Sequence, residues 1–450
     1  MEKKLKILII SSRPPYWSAN HGYNLALSLR NHAHMVDYLT TYQFDRMESW
    51  MYSVYEEKKE YNLDLTFRWT LKRVLSNIIT RPSTALNLFL KRVLKIGRYD
   101  LISAPNIPSE DITKAIPDRN YNLVITLFWQ DLLSADILLP IYEKCKCPIF
   151  IFPVDMNPMT GGCSNFWDCQ RFTYECKGCP ATILNNNNRD IAHKNYLLKK
   201  RIYQSIDYRI FGNTWMCNHF KKSGLFHYNQ ISLNMCAINE QTFFPVNKAQ
   251  ARTELELPQD KFIFFCGAAS IKSKRKGFDV LKKATSLFYQ KYKGSKDCLL
   301  VIAGKTIPNI SSLIKMDTVC VGFLPMEKLA LMYSAADVYL STSIQDAGPS
   351  MVNQCLMCGT PVVAFRTGVA IDIVKTGITG YLAKYNDTND FFQGMSYLYE
   401  YADKKSLRKS CRQFALNSFS LDAVAKSIEN SYNEHINKDK KTTQKVVFST

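Results

Sequence analysis

Residues 346–365 read Asp346-Ala-Gly-Pro-Ser-Met-Val-Asn-Gln354-Cys-Leu-Met-Cys-Gly359-Thr-Pro361-Val-Val-Ala-Phe365. Gly348 and Pro349 open a short helical run over 349–357, Gly359 stops it, and the apolar run 361–365 is a buried strand. The same alternation precedes it. Strands are expected at 262–266, 299–303, 319–322 and 338–340, with helices at 277–292 and 326–336. Short strands that are apolar throughout, joined by helices, form a parallel sheet covered on both faces.

Working outward, the rhythm is also present in the first half. Strands are expected at 6–10, 35–40, 123–128, 149–154, 208–211 and 231–235, with a helix at 21–33. A chain of 450 residues is long enough for two such sheets. The expected class is therefore α/β, with two Rossmann-like parallel-sheet domains: 1–245, and 246–420 after a boundary near 245–250. A helix over 421–436 is expected to pack back on the N-terminal domain, and 437–450 is expected to be a loose basic tail. Between 64 and 98, apolar residues alternate with Arg68, Lys72, Arg73, Arg81, Lys91, Arg92, Lys95 and Arg98. Pro82 divides this stretch into two basic amphipathic helices, read either as a solvated face or as a surface for anionic lipid.

Hydrophobic residues make up 46% and charged residues 22%, which places the chain among ordinary globular proteins. The formal charge of +19 favours anionic partners, among them phosphates and an anionic leaflet. No RNP, zinc-finger or helix-turn-helix pattern accompanies it, so nucleic acid is not expected as a partner. The apolar run after the N-terminal lysines is too short for a signal peptide, and none of about 18 residues would span a membrane. The expectation is a cytoplasmic protein, peripheral on the inner face of the cell membrane, whose 14 Cys are thiols or metal ligands rather than disulfides.

In the second sheet, Gly267, Gly304, Gly322, Gly348 and Gly359 fall where strands end or helices begin. Such turns let a backbone approach a pyrophosphate over a helix N-terminus. Lys272, Lys274, Arg275 and Lys276 lie just before the helix at Gly277, so cations and a positive helix end could meet one anion; a solvated basic loop is the alternative.

The stretch 346–365, with Gly368 and Lys375-Thr-Gly377-Ile-Thr-Gly380-Tyr381, resembles the donor-site signature of glycosyltransferase family 4. Lys276-Gly277-Phe-Asp-Val-Leu281, Ala303-Gly304 and Ser334-Ala-Ala-Asp337-Val-Tyr-Leu340 resemble the other blocks of that family's C-terminal domain, in the same order. The resemblance implies the GT-B fold, two domains across a central cleft. It implies a nucleotide-sugar donor, transfer with retention to a glycan or lipid-linked glycan, and a role in bacterial surface polysaccharide synthesis. Donor-binding positions are Arg275, Lys276, Gly267, Gln354, Gly348 and Pro349, and no catalytic metal is required. Family members carry two Glu separated by seven residues; Asp346 and Gln354 stand at that spacing. Asp346 takes the sugar-contact role, with Gln345 as its rival, and the Gln354 amide can still bond ribose hydroxyls. The rival functions are a non-catalytic sugar-nucleotide-binding protein and a GT-B nucleotide-sugar epimerase.

The string Asp155-Met-Asn-Pro158-Met-Thr160-Gly161-Gly162-Cys163 resembles a block of some bacterial members in which a His-Asp pair precedes the turn. Val154 replaces the His, leaving Asp155 as the second catalytic candidate. Cys163, Cys169, Cys176 and Cys179 are candidates for one structural zinc, with buried free thiols or redox pairing as the alternatives. Near the N-terminus, His21 and Gly22 stand where the family has a loop reaching the acceptor or the donor phosphate.

Overall fold

The short apolar runs pair in parallel, as their two-sided hydrophobicity requires. The computed structural model describes residues 4–12, 21–58, 99, 101, 107–127, 129, 132–182, 189–294, 296–305, 309–401 and 403–447, with side chains to 437. The basic stretch 64–98 lies outside the described residues.

The first sheet contains β1 (Lys6–Ser11), β2 (Met35–Gln43), β3 (Met51–Lys58), β4 (Leu123–Leu127), β5 (Ile149–Phe152), β6 (Tyr208–Gly212) and β7 (Ile231–Leu233), ordered β3-β2-β1-β4-β5-β6-β7. Ile9 stands opposite Tyr38 on one side and Ile125 on the other. The second sheet contains β8 (Phe262–Ser270), β9 (Cys298–Lys305), β10 (Thr318–Gly322), β11 (Val338–Ser341), β12 (Val362–Phe365) and β13 (Gly380–Ala383), ordered β10-β9-β8-β11-β12-β13. Both orders run outward from a central strand and then reverse, between β1 and β4 and between β8 and β11. Ligands of such sheets bind beyond the carboxyl ends of the strands at that reversal.

Each face of the second sheet buries its own layer. Phe264, Leu281, Phe288, Leu300, Val363 and Phe391 form one core cluster, whereas Phe265, Tyr333 and Tyr339 stack their rings edge-on in another. Asp337, just before β11, anchors the sheet to helix Lys248–Glu254. Its Oδ2 accepts from Arg252 at 2.8 Å and from the Ile263 backbone at 2.8 Å, and its Oδ1 meets Lys248 at 2.5 Å.

The chain forms two compact units that cross the expected boundary near 245. One contains Met1–Pro14, His34–Phe211 and Cys217–Ile231; the other contains Pro15–Ala33, Gly212–Met216 and Ser232–Thr450. Helix His21–Asn31 belongs with the second unit because its polar side chains find their partners there. Asn24 donates to the Ala237 carbonyl at 3.0 Å, Ser28 donates to that of Leu421 at 2.5 Å, and His32 lies 3.0 and 3.1 Å from Glu429 and Asp422. The terminal helix packs against this N-terminal segment, and it does not stop near 436. It runs over Leu421–Val447, through most of the expected tail, for no Gly or Pro interrupts it. Helices Thr388–Glu400 and Lys404–Phe419 were not among the expected elements.

Arg252 is 4% exposed and Asp337 9%, so removing one partner strands a buried charge. Asp337→Ala is expected to lower unfolding free energy by about 3–5 kcal/mol, measured by urea denaturation.

Candidate functional site

The reversal between β8 and β11 is where the predicted donor residues meet. The segment after β8 carries Arg275 and Lys276, and the segment after β11 carries Asp346. Three backbone contacts lace the two together: Thr342 Oγ1 donates to the Lys276 carbonyl at 2.7 Å, and the amides of Ile344 and Gln345 donate to the Arg275 carbonyl at 2.8 and 3.4 Å. Gly277 permits this approach. Its φ is +68°, and a Cβ there would stand 2.0 Å from the Thr342 carbonyl oxygen.

Lys276 Nζ lies 2.6 Å and Arg275 Nη1 2.7 Å from the same oxygen, Asp346 Oδ2. The other oxygen, Oδ1, accepts from the Gly348 amide at 3.3 Å. Burial opposes the charge on Asp346, but Lys276 and Arg275 outweigh it and hold the carboxyl below its ordinary range. Gly348 and Pro349 then lead into helix Ser350–Met357, which begins without a side-chain cap. The Val352 amide bonds to the Pro349 carbonyl at 2.9 Å, and the positive end of the helix dipole at this terminus favours an anion. Met351 covers Gly267, where a Cβ would meet the methionine methyl at 2.5 Å.

Gln354, for which a ribose contact is expected, lies among packed side chains. It is 2% exposed, and its Oε1 accepts from the Tyr333 hydroxyl at 3.1 Å. This amide satisfies a buried phenol between two packed helices. Gln345, also buried, meets Arg275 through its backbone amide. Sequence reasoning missed Tyr333, Thr342 and Asn213. The run Gly212-Asn213-Thr214 after an apolar strand is an N-cap signal that could have drawn attention to the last of these.

His21 is buried at the start of its helix, and burial lowers its pKa to about 4. At neutral pH the ring is uncharged, suited to hydrogen bonding and not to neutralising a phosphate. Gly22 is buried beside it.

In the first unit, Asp155 follows β5 and its Oδ1 accepts from the Asn157 amide at 2.8 Å, an Asx turn. Lys199, buried, reaches this loop and donates to Asn157 O at 2.5 Å, Asn157 Oδ1 at 2.9 Å and Thr160 O at 2.9 Å. Burial lowers its pKa to about 8, against the pull of Cys163, Cys176 and Asp155. The four cysteines of the loop are close enough to influence one another electrostatically, and burial pushes Cys163 up to about 12 and Cys176 to about 11. Cys176 Sγ accepts from the Gly161 amide at 3.1 Å. Among the described residues, no three His, Cys, Asp or Glu side chains are arranged to hold a metal ion. Burial thus favours the thiol form of Cys163 and Cys176 while no metal is bound.

Residues 247–417 match the family model described as glycosyl transferases group 1. The chain carries a group 1 glycosyl transferase domain. Arg275, Lys276, Asp346 and helix Ser350–Met357 all lie within this group 1 domain. D-inositol 3-phosphate glycosyltransferase of Pseudarthrobacter chlorophenolicus is 28% identical over 183 residues, covering 38% of this chain and 43% of that protein. The chain thus spans less than half the length of the curated relatives it matches, 43% and 46% for two of them. Sucrose-phosphate synthase from Thermosynechococcus elongatus superposes with a TM-score of 0.64 at 17% identity, covering 97% of this chain and 100% of that one. Anabaena HepE, solved with UDP and glucose, does so at 0.57 and 11%, covering 96% and 100%. At these identities the likeness is one of fold, GT-B, built from two Rossmann-like parallel sheets.

Two outcomes follow from the site. Because its carboxyl is held below the ordinary value near 4, the contribution of Asp346 to stability is complete above about pH 4 and is lost as pH falls through the folded value. The melting temperature of Asp346→Asn should accordingly lie below wild type at pH 6, and the gap should narrow toward pH 3. Lys199→Met would remove the Lys199 donor from Asn157 Oδ1 and the Thr160 carbonyl and leave the Asn157 carbonyl only its bonds from Thr160, and should cost about 3 kcal/mol in urea denaturation, with earlier proteolytic cleavage between 155 and 180.

Proposed function

We propose that the chain is a retaining glycosyltransferase whose group 1 domain holds a nucleotide-sugar donor at the β8–β11 reversal. The observation that carries this reading is the convergence of Arg275 and Lys276 on Asp346 beside the uncapped start of helix Ser350–Met357. Two cations and a helix end suit a departing diphosphate, whose negative charge grows as the bond to the sugar breaks. The bond between the anomeric carbon and the diphosphate oxygen breaks, and a bond to the acceptor oxygen forms on the same face. The acceptor proton leaves with the diphosphate. With cationic side chains meeting that charge, no step calls for a metal.

The acceptor we propose is a glycan or a lipid-linked glycan of bacterial surface polysaccharide synthesis. The charge of +19 supports docking on an anionic membrane surface, and no described helix is long and apolar enough to cross a membrane. HepE, solved with UDP and glucose, makes UDP-sugars the first donors to try. A second reading, a sugar-nucleotide-binding protein without transferase activity, draws on the buried placement of Gln354 at the family's second acidic position. Single-turnover assays with a donor panel separate the two.

Lys276→Ala should lower kcat by tens to hundreds of fold, because one charge-assisted contact to the leaving group in a secluded site contributes about 2–4 kcal/mol. Gln354→Ala should act on the fold, stranding the Tyr333 hydroxyl at a cost of about 1–3 kcal/mol, seen as a lower melting temperature with kcat near wild type. Steady-state kinetics and thermal melts on both variants test the assignment. Equal small losses of kcat would mean that the loop around Lys276 is a solvated surface.

A further inference from the structure

We infer that Asn213, which lies outside the matched segment 247–417, positions the donor site through a single peptide group. This deepens the donor-site reading above and rests on it. Asn213 follows β6 and is 6% exposed. Its Oδ1 accepts from the Met216 amide at 3.0 Å, capping helix Thr214–Ser223, and its Nδ2 donates to the Ala347 carbonyl at 2.5 Å. That carbonyl belongs to the peptide linking Ala347 to Gly348. The N–H of the same peptide donates to Asp346 Oδ1 at 3.3 Å. A peptide group is a rigid plane, so fixing its oxygen fixes the direction of its N–H. The N–H orients the Asp346 carboxylate, whose other oxygen receives Arg275 and Lys276.

Two further features hold the same turn. Thr214 donates to Asp372 through its backbone amide at 2.9 Å and also through its hydroxyl, tying the residue after Asn213 to helix Ala370–Ile373. On another side stands Gly368, with φ +52°. A Cβ there would lie 2.4 Å from the Asp346 carbonyl oxygen and 2.9 Å from that of Ala347, so the turn is pressed against bare backbone. Only an amide side chain supplies both arms that Asn213 uses, an acceptor for the helix and a donor for the turn. A serine keeps the cap and drops the second arm; an aspartate keeps the cap and sets a carboxylate against the Ala347 carbonyl.

If Asn213 acts through Asp346 on the two cations, its loss must weaken binding of the diphosphate more than of the nucleoside. The test uses the full chain, wild type and the variants Asn213→Ser and Asn213→Asp, titrated calorimetrically with UDP and with UMP. Asn213→Ser should raise the Kd for UDP about tenfold, equivalent to about 1.4 kcal/mol, with UMP changed by less than about twofold, and Asn213→Asp should raise it further. Equal weakening of UDP and UMP would reduce Asn213 to a structural cap, and unchanged affinity for both would remove the relay altogether. Should Asn213→Ser fail to fold, Gly368→Ala disturbs the same turn independently and should produce the same selective loss of UDP. A wild-type chain that binds none of UDP, ADP and GDP overturns the donor-site reading and the relay with it. One that binds UDP while the variants match it overturns the relay alone.

Discussion

The second unit depends on the close approach of the segments that follow β8 and β11. These strands are neighbours at the reversal of the sheet, but their loops must turn toward each other before anything can be built there. Gly277, with its positive φ and no side chain, lets the Lys276–Gly277 backbone lie on Thr342, and the Arg275 carbonyl receives two amides from the other side. The side chains of Arg275 and Lys276 have only to extend from that junction to meet Asp346. Replacing Gly277 would separate the loops and the charges at once, although the glycine touches neither cation. The cations cost little to hold in place, because the backbone under them is already fixed and Asp346 compensates their charge while no ligand is bound.

The first unit uses a buried cation to another end. Lys199 spends its three donors on the backbone and side chain of one loop, and Asp155 is committed to the turn at the same place. Hydrogen bonds and packing hold the loop, with the Phe166 and Phe172 rings in tilted contact, centroids 4.9 Å apart. The uncharged state of His21 also follows from burial, which disfavours the protonated ring.

Much of this was legible in the sequence, for identifiable reasons. Most strands of both sheets are short apolar runs, a pattern that survives without knowledge of partners, whereas β3, which ends in Glu56, Glu57 and Lys58, and β13 were not among the expected strands. Arg275 and Lys276 were legible as a basic run at the end of a strand, and Asp346 through the acid pair that the resemblance implies. The bond from Tyr333 to Gln354 was not legible, because sequence spacing fixes which turn of a helix a residue occupies but not what it faces, and Tyr333 is twenty-one positions away. Asn213 could be read as a cap, but its second partner lies 134 residues on, beyond any local pattern. The terminal helix was cut short because a polar, lysine-rich run reads as loose chain. Continuous helix without a breaker, braced on His21–Asn31 by Val424, Ala425 and Ile428, is the outcome instead.

Asp346 stands where the resemblance supplies a longer acid, and its shorter reach bears on what the site can do. With one methylene fewer, the carboxylate stays near its own backbone, where the Gly348 amide and two cations surround it. It is therefore better placed to organise Arg275 and Lys276 than to extend toward a sugar. On the proposed reading, an entering diphosphate would share those cations with Asp346. The triad of two cations and one carboxylate carries a single net positive charge, so each new contact to phosphate is gained partly at the expense of an existing one. Ground-state affinity would be moderated by this exchange, whereas the charge that develops on the leaving oxygen would be met by cations already in position. An arrangement of this kind favours the transition state over the bound donor, which is the condition for a binding interaction to raise the rate.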